Sequence, residues 1–336
     1  MAQQDRFAFL DNMKAVAIVM VVAIHAMAFS ENMPAQLKGN ILTFIATIAV
    51  PVFFFIDGYL LAIAYSAGKK ITYWNIIKKS SYRLLLPWLI FTCGYFALRF
   101  LFEYFNVLDE RYVIGRDFGY IMSGLYGSIY SGQMYFLVSL FFIRLISPVV
   151  STIFNGGSIV IAFLLCVLWI IFHGSVHHEI FKALYIKGGQ EPLTHAIWGL
   201  QFYLVGILAF RITSLYDTKW WLLPCSILFV VVYVLHIREV FQLVYLVYFF
   251  VFFKYVNIEN KTMSYLGKNT MGVYLLHSPL MLKVAAIFVA TISSSPLVAF
   301  LLNTSIAIVL SLSFVYCFAW LGLSQYLFGE PKKKHF

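Results

Sequence analysis

Runs of mostly apolar residues alternate with short polar stretches along the whole chain, at roughly 9–29, 41–64, 84–105, 133–150, 158–173, 195–212, 219–236, 239–256, 269–289 and 297–324. A helix rising about 1.5 Å per residue needs about 20 such residues to cross the hydrocarbon of a bilayer. The pattern therefore predicts an all-α integral membrane protein with about ten transmembrane helices. The first run ends in "AFSENMPAQ", which imitates a signal-peptide cleavage region, but its charged interior fits a retained span better than a removed leader. Two connections are long, "FEYFNVLDERYVIGRDFGYIMSGLYGSIYSGQ" and "HGSVHHEIFKALYIKGGQEPLTHA", and the apolar, Gly-rich piece Phe118–Tyr130 of the former is a candidate re-entrant segment. No internal repeat or low-complexity tract divides the chain, so residues 1–336 read as a single membrane domain.

Composition sharpens this picture. With 62% hydrophobic, 19% aromatic and 11% charged residues, the chain has too little polar surface to coat a soluble globule. A net charge of +10 would suggest a nucleic-acid partner in a soluble protein. Here the cations gather between apolar runs, and orientation in the membrane explains them instead of nucleic acid. With the N-terminus in the cytoplasm, 15 of the 24 Lys and Arg residues fall on the inner side, among them Arg6, Lys69, Lys70, Lys78, Lys79, Arg83 and the terminal "PKKKHF". That excess places both termini in the cytoplasm. Cys93, Cys166, Cys225 and Cys317 lie within apolar runs without metal-ligand spacing, and read as small hydrophobes.

Candidate chemistry begins in the first run, "FLDNMKAVAIVMVVAIHAMAF". Eleven helical steps from Lys14 to His25 return to within about 20° of the same direction and advance about 16 Å, and Asp11 falls within roughly 40° of that line. An ionisable stripe of this kind inside a span marks a water-filled cavity, a relay or a substrate path. Asp57, inside "FFFIDGYLL", likewise needs a partner away from lipid. Tyr274 and His277 stand three residues apart on one helix face. His173, His177, His178 and His195 lie in the second long connection, without zinc spacing, as solvated or acceptor-facing groups. Buried charge in a ten-helix protein also suits a transporter or flippase for a glycan or small solute, although the paired halves common in transporters are missing.

An acidic residue, a basic residue and a histidine eleven positions later in the first helix resemble the signature of the bacterial acyltransferase-3 family of membrane enzymes, where the pattern is Arg-x10-His. Lys14 stands at the arginine position. "VPVFFFIDGYLLA" resembles the family's "VPLFFFISGYLL", with Asp57 for serine. "YRLLLPWLIF" carries Arg83 and Pro87 at matching positions, and "GQMYFLVSLFF" is similar to the "hlWFL" segment with Tyr135 for tryptophan. "LGKNTMGVYLLHSPLM" resembles the "lg+.S.giYLlH.p" block. The matches run in order along nearly the whole chain and are closest to the short members without an appended soluble domain.

The resemblance implies transfer of an acyl group, most simply acetyl, from cytoplasmic acyl-CoA to a hydroxyl of an envelope glycan or a lipid-linked glycan precursor, at a bacterial inner membrane. Acyl-CoA is then a donor substrate, with no permanently bound cofactor and no metal, and membrane lipids surround the protein; oligomeric state is left open. Such chemistry needs a base near neutral pH, which points to His25, with Asp11 or Asp57 holding its ring. The polyanionic donor needs inner-face cations, for which Lys14, Lys78, Lys79 and Arg83 are candidates. Tyr135, Tyr274 and His277 are candidates for contact with the acceptor sugar or the donor carbonyl.

Overall fold

The structure, a computed structural model, describes residues 8–30, 33–69, 72–108, 110–184, 191–256 and 258–329. Arg6, Lys70 and the terminal 331–336, counted above among the inner-side cations, lie outside the described residues. Every regular element among the described residues is helical. In chain order they are α1 (Ala8–Ala26), α2 (Ala35–Ala49), α3 (Pro51–Ser66), α4 (Tyr73–Ser80), α5 (Leu86–Tyr104), α6 (Phe118–Tyr126), α7 (Tyr135–Gly156) and α8 (Ile159–Leu184). They continue with α9 (Pro192–Leu215), α10 (Leu222–Val234), α11 (Arg238–Tyr255), α12 (Lys261–Lys268), α13 (Thr270–Leu276), α14 (Leu282–Ala290), α15 (Pro296–Trp320) and α16 (Ser324–Leu327). Eight helical stretches among the described residues are long and apolar enough to cross a membrane, and Lys219–Val234 and Val240–Tyr255 form two shorter apolar helices. The protein is an all-α integral membrane protein.

Three differences from the sequence reading have local causes. The second apolar run is built from two helices, because Pro51 cannot continue the hydrogen bonding of α2 and instead starts α3. The piece Phe118–Tyr130 contains the helix α6, started by Asp117, whose carboxylate accepts the Tyr120 amide at 2.9 Å. In place of a loop after residue 173, α8 continues to Leu184, so His173, His177 and His178 are helical; His195 belongs to α9. Polarity ended that apolar run, but polar side chains do not end a helix.

The chain forms two compact units, residues 1–57 with 212–320 and residues 58–211 with 321–336. In the first, α1 is the central element, packed by α2, α11, α12, α13 and α15. Leu10, Met13, Ile18, Val22 and Ala26 of α1 are buried to 1% exposure or less, so this helix meets protein on most sides. Asn12 is buried too, and its amide donates to the Ile258 carbonyl at 2.8 Å. Gly267 permits the closest approach, since a Cβ there would lie 2.0 Å from the Asp11 carbonyl oxygen.

In the second unit, α4 and α7 pack on a wide helical turn, Ser81–Leu85. Pro87 has no N–H to give the Arg83 carbonyl, which accounts for the widened turn at that point. Gly58 lies against α9, where a Cβ would fall 2.0 Å from the Tyr203 carbonyl oxygen. Two buried carboxylates organise the connections. Glu103, at the end of α5, accepts Arg99 Nε at 2.7 Å and the amides of Tyr112, Val113 and Ile114 at 2.8, 2.9 and 2.9 Å. Glu191 starts α9 by accepting the amides of Leu193 and Thr194 at 3.0 and 2.6 Å. Glu103→Ala is expected to destabilise the protein by about 2–4 kcal/mol, because three backbone amides lose their acceptor together and the partly exposed Arg99 loses its ion-pair partner. Thermal unfolding in detergent measures this, and a variant as stable as the parent would show that Glu103 does not organise the connection.

Candidate functional site

The ionisable stripe expected on the first helix is present in α1, and its two ends have different surroundings. At the start of α1, Lys14 Nζ donates to Asp11 Oδ1 at 2.8 Å, with side chains 25% and 16% exposed, so the pair is held but still reachable. Gly267 against the Asp11 backbone and Asn12 on Ile258 fix this end to α12 and the segment before it. Asp11 precedes His25 by fourteen residues, about 21 Å of helix rise. Its carboxylate is engaged by Lys14 and does not reach the His25 ring.

At the other end, His25 is half-buried in the last turn of α1, and its ring centroid lies 5.1 Å from that of His277, with the planes inclined at 59°. His277 caps α13 and is completely buried. Its Nδ1 lies 2.8 Å from the Tyr274 carbonyl and 3.1 Å from the Val273 carbonyl. A carbonyl oxygen only accepts, so Nδ1 carries the hydrogen and Nε2 presents a lone pair. Just beyond, Ser278 leaves the helix with φ −128° and ψ 141°, as the residue before a proline is pushed to do, and the regular helix resumes in α14. The Tyr274 ring, also buried, is 6.1 Å from that of His277. Gly267 beside Asp11 and His277 beside His25 show that the 267–277 segment runs alongside α1 in the same direction.

The remaining candidates are placed as follows. Asp57 is half-buried in α3, after the fully buried Phe54 and Phe55 and beside Gly58. Arg83 lies on the wide turn before α5, and Lys78 and Lys79 in the last turn of α4, all three exposed. Tyr135 opens α7, and its ring is 4.2 Å from that of His195. His195 Nδ1 lies 2.9 Å from the Glu191 carbonyl. The Glu191 carboxylate accepts the Tyr126 hydroxyl at 2.6 Å. Burial and then that carboxylate push the Tyr126 hydroxyl above its ordinary range, so it stays a donor. This polar group around Tyr135 was only partly legible: "QEPLTH" has the form of a helix start, with proline at the first position. Its contact with Tyr126 crosses 65 positions and has no local signal.

One helix of this all-helical membrane protein thus opens on a lysine–aspartate pair and ends where two histidines meet. Residues 7–321 match the acyltransferase domain that defines the acyltransferase-3 family, and the chain belongs to that family. The protein is therefore a membrane acyltransferase. No curated protein and no solved structure matches it.

Proposed function

We propose that this protein moves an acyl group, most simply acetyl, from cytoplasmic acyl-CoA to a hydroxyl of an exported or cell-envelope glycan, with His25 as the general base. The observation that supports this reading is that α1 carries the Asp11–Lys14 pair toward one end and meets His277 through His25 at the other. Eleven helical steps separate Lys14 from His25 by about 16 Å, about the reach of an extended pantetheine arm. Lys14 would neutralise donor phosphate and His25 would meet the thioester. The hydroxyl proton passes to His25 while oxygen bonds to the thioester carbon. The C–S bond then breaks, and the leaving thiolate recovers the proton. Tyr274, buried beside His277, would face the reacting groups. We place the protein in a bacterial inner membrane with both termini in the cytoplasm, as one domain.

Purified protein given acetyl-CoA labelled in the acetyl group, with candidate envelope glycans, tests this directly. Label should move to the glycan, and a glycan or solute that crosses a vesicle while the donor keeps its label would identify a transporter instead. Comparing glycan masses from a deletion strain and its parent would identify the acceptor.

Lys14 supplies a finer test. Lys14→Arg keeps the charge and should retain much of the activity, whereas Lys14→Ala also strands Asp11 and should lose about tenfold or more in kcat/KM. A rise in KM for acyl-CoA would mark a contact made equally in ground and transition states, and a fall in kcat one made in the transition state alone. Unchanged kinetics in the alanine variant would remove Lys14 from the site.

A further inference from the structure

We infer that His277 is the positioning residue for His25: its bare Nε2 receives a hydrogen bond from the His25 ring as that ring takes up a proton. This rests on His25 being the base of the acyl transfer proposed above. The sequence left the orienting group open between two carboxylates, and Asp11 is engaged by Lys14 at the far end of α1. The group that does stand beside His25 is a second imidazole whose state is fixed by its surroundings. His277 Nδ1 is committed to two backbone carbonyls. Its Nε2 is buried, with no hydrogen-bond partner among the described residues. Buried polar atoms in folded proteins are almost always paired, so a lone pair left bare beside a candidate base points to a partner that arrives during function.

The distance suits that partner. Two imidazoles joined by an N–H···N bond of about 3 Å have ring centroids roughly 5 Å apart, and the observed separation is 5.1 Å. His25 needs only to turn its ring, and no hydrogen bond to another described residue holds it back. His277 cannot turn without breaking its bonds to Val273 and Tyr274. During transfer one His25 nitrogen accepts the hydroxyl proton while the other N–H donates to His277 Nε2. The same proton then leaves on the CoA sulfur, so His277 ends as it began. A fixed neutral acceptor thus selects the tautomer and ring angle of the base and stabilises its transient charge.

The test uses two substitutions that keep different halves of the imidazole. Asn at 277 has an amide able to reach the Nδ1 position and nothing at Nε2, whereas Gln extends a carbonyl oxygen to the Nε2 position. His277→Asn should lower kcat about ten- to a hundredfold with KM for acyl-CoA within about twofold, and His277→Gln should recover most of that loss. In a His25→Ala background His277→Asn should cost nothing further, because a positioning residue has nothing left to position. Wild-type kcat in His277→Asn, equal impairment of both variants, or a full additional loss in the His25→Ala background would each overturn the inference while leaving the acyl transfer standing. A parent protein that moves no acyl group would overturn the proposed function, and this inference with it.

Discussion

His25→Ala is expected to lower acyl transfer by about a hundred- to ten-thousandfold while the protein still inserts and folds. The size follows from losing the group that takes the hydroxyl proton; an alcohol attacks a thioester poorly unless that proton leaves as the bond forms. Folding should survive because His25 is only half-buried and gives no hydrogen bond to another described side chain or carbonyl. Truncation leaves a gap beside His277 without unpairing any atom that is paired now. The measurement is glycan acylation at matched expression, with thermal unfolding in parallel. Near-normal transfer in the variant would sink the mechanism.

Gly267→Val should have the largest effect on folding, although its side chain takes no part in the chemistry. A Cβ at this position would lie 2.0 Å from the Asp11 carbonyl oxygen and 2.6 Å from its carbon, both backbone atoms that no rotamer change can move aside. Overpacking of a close interface costs about 1–3 kcal/mol, and more when backbone must separate from backbone. Separating α12 from α1 would also pull Asn12 from the Ile258 carbonyl. The expected result is loss of a monodisperse folded species for the valine variant and a lowered unfolding temperature for Gly267→Ala. Gly94→Ala is the control, since a Cβ there meets nothing within 4 Å. If Gly267→Ala matched the parent in stability and activity, the close contact would not be what fixes the start of α1.

Much of this architecture was legible in the chain, because a span must declare itself by apolar length and hydropathy needs no knowledge of neighbours. The stripe of Asp11, Lys14 and His25 was legible for a similar reason: all three lie on one helix, whose turn fixes their relation. Contacts between distant segments were not. Nothing in "LGKNT" says that its glycine will press on Asp11, and nothing near His25 names His277 as its neighbour. Glu103 and Arg99 could have been paired by their spacing, yet the three amides that complete the Glu103 site come from a stretch with no regular structure. Helix ends were least legible, as at α8, where polarity changes before the helix stops.

The shared direction of α1 and the 267–277 segment has an electrostatic consequence. The C-terminal end of a helix carries about half an elementary negative charge from its aligned peptide dipoles. His25 stands in the last turn of α1 and His277 at the end of α13. Had the helices run in opposite directions, one end of each sign would have met there and largely cancelled. As built, two ends of the same sign converge on the imidazole pair. A proton held between the rings then meets a counter-charge supplied by the backbone itself, which no change of pH can titrate away.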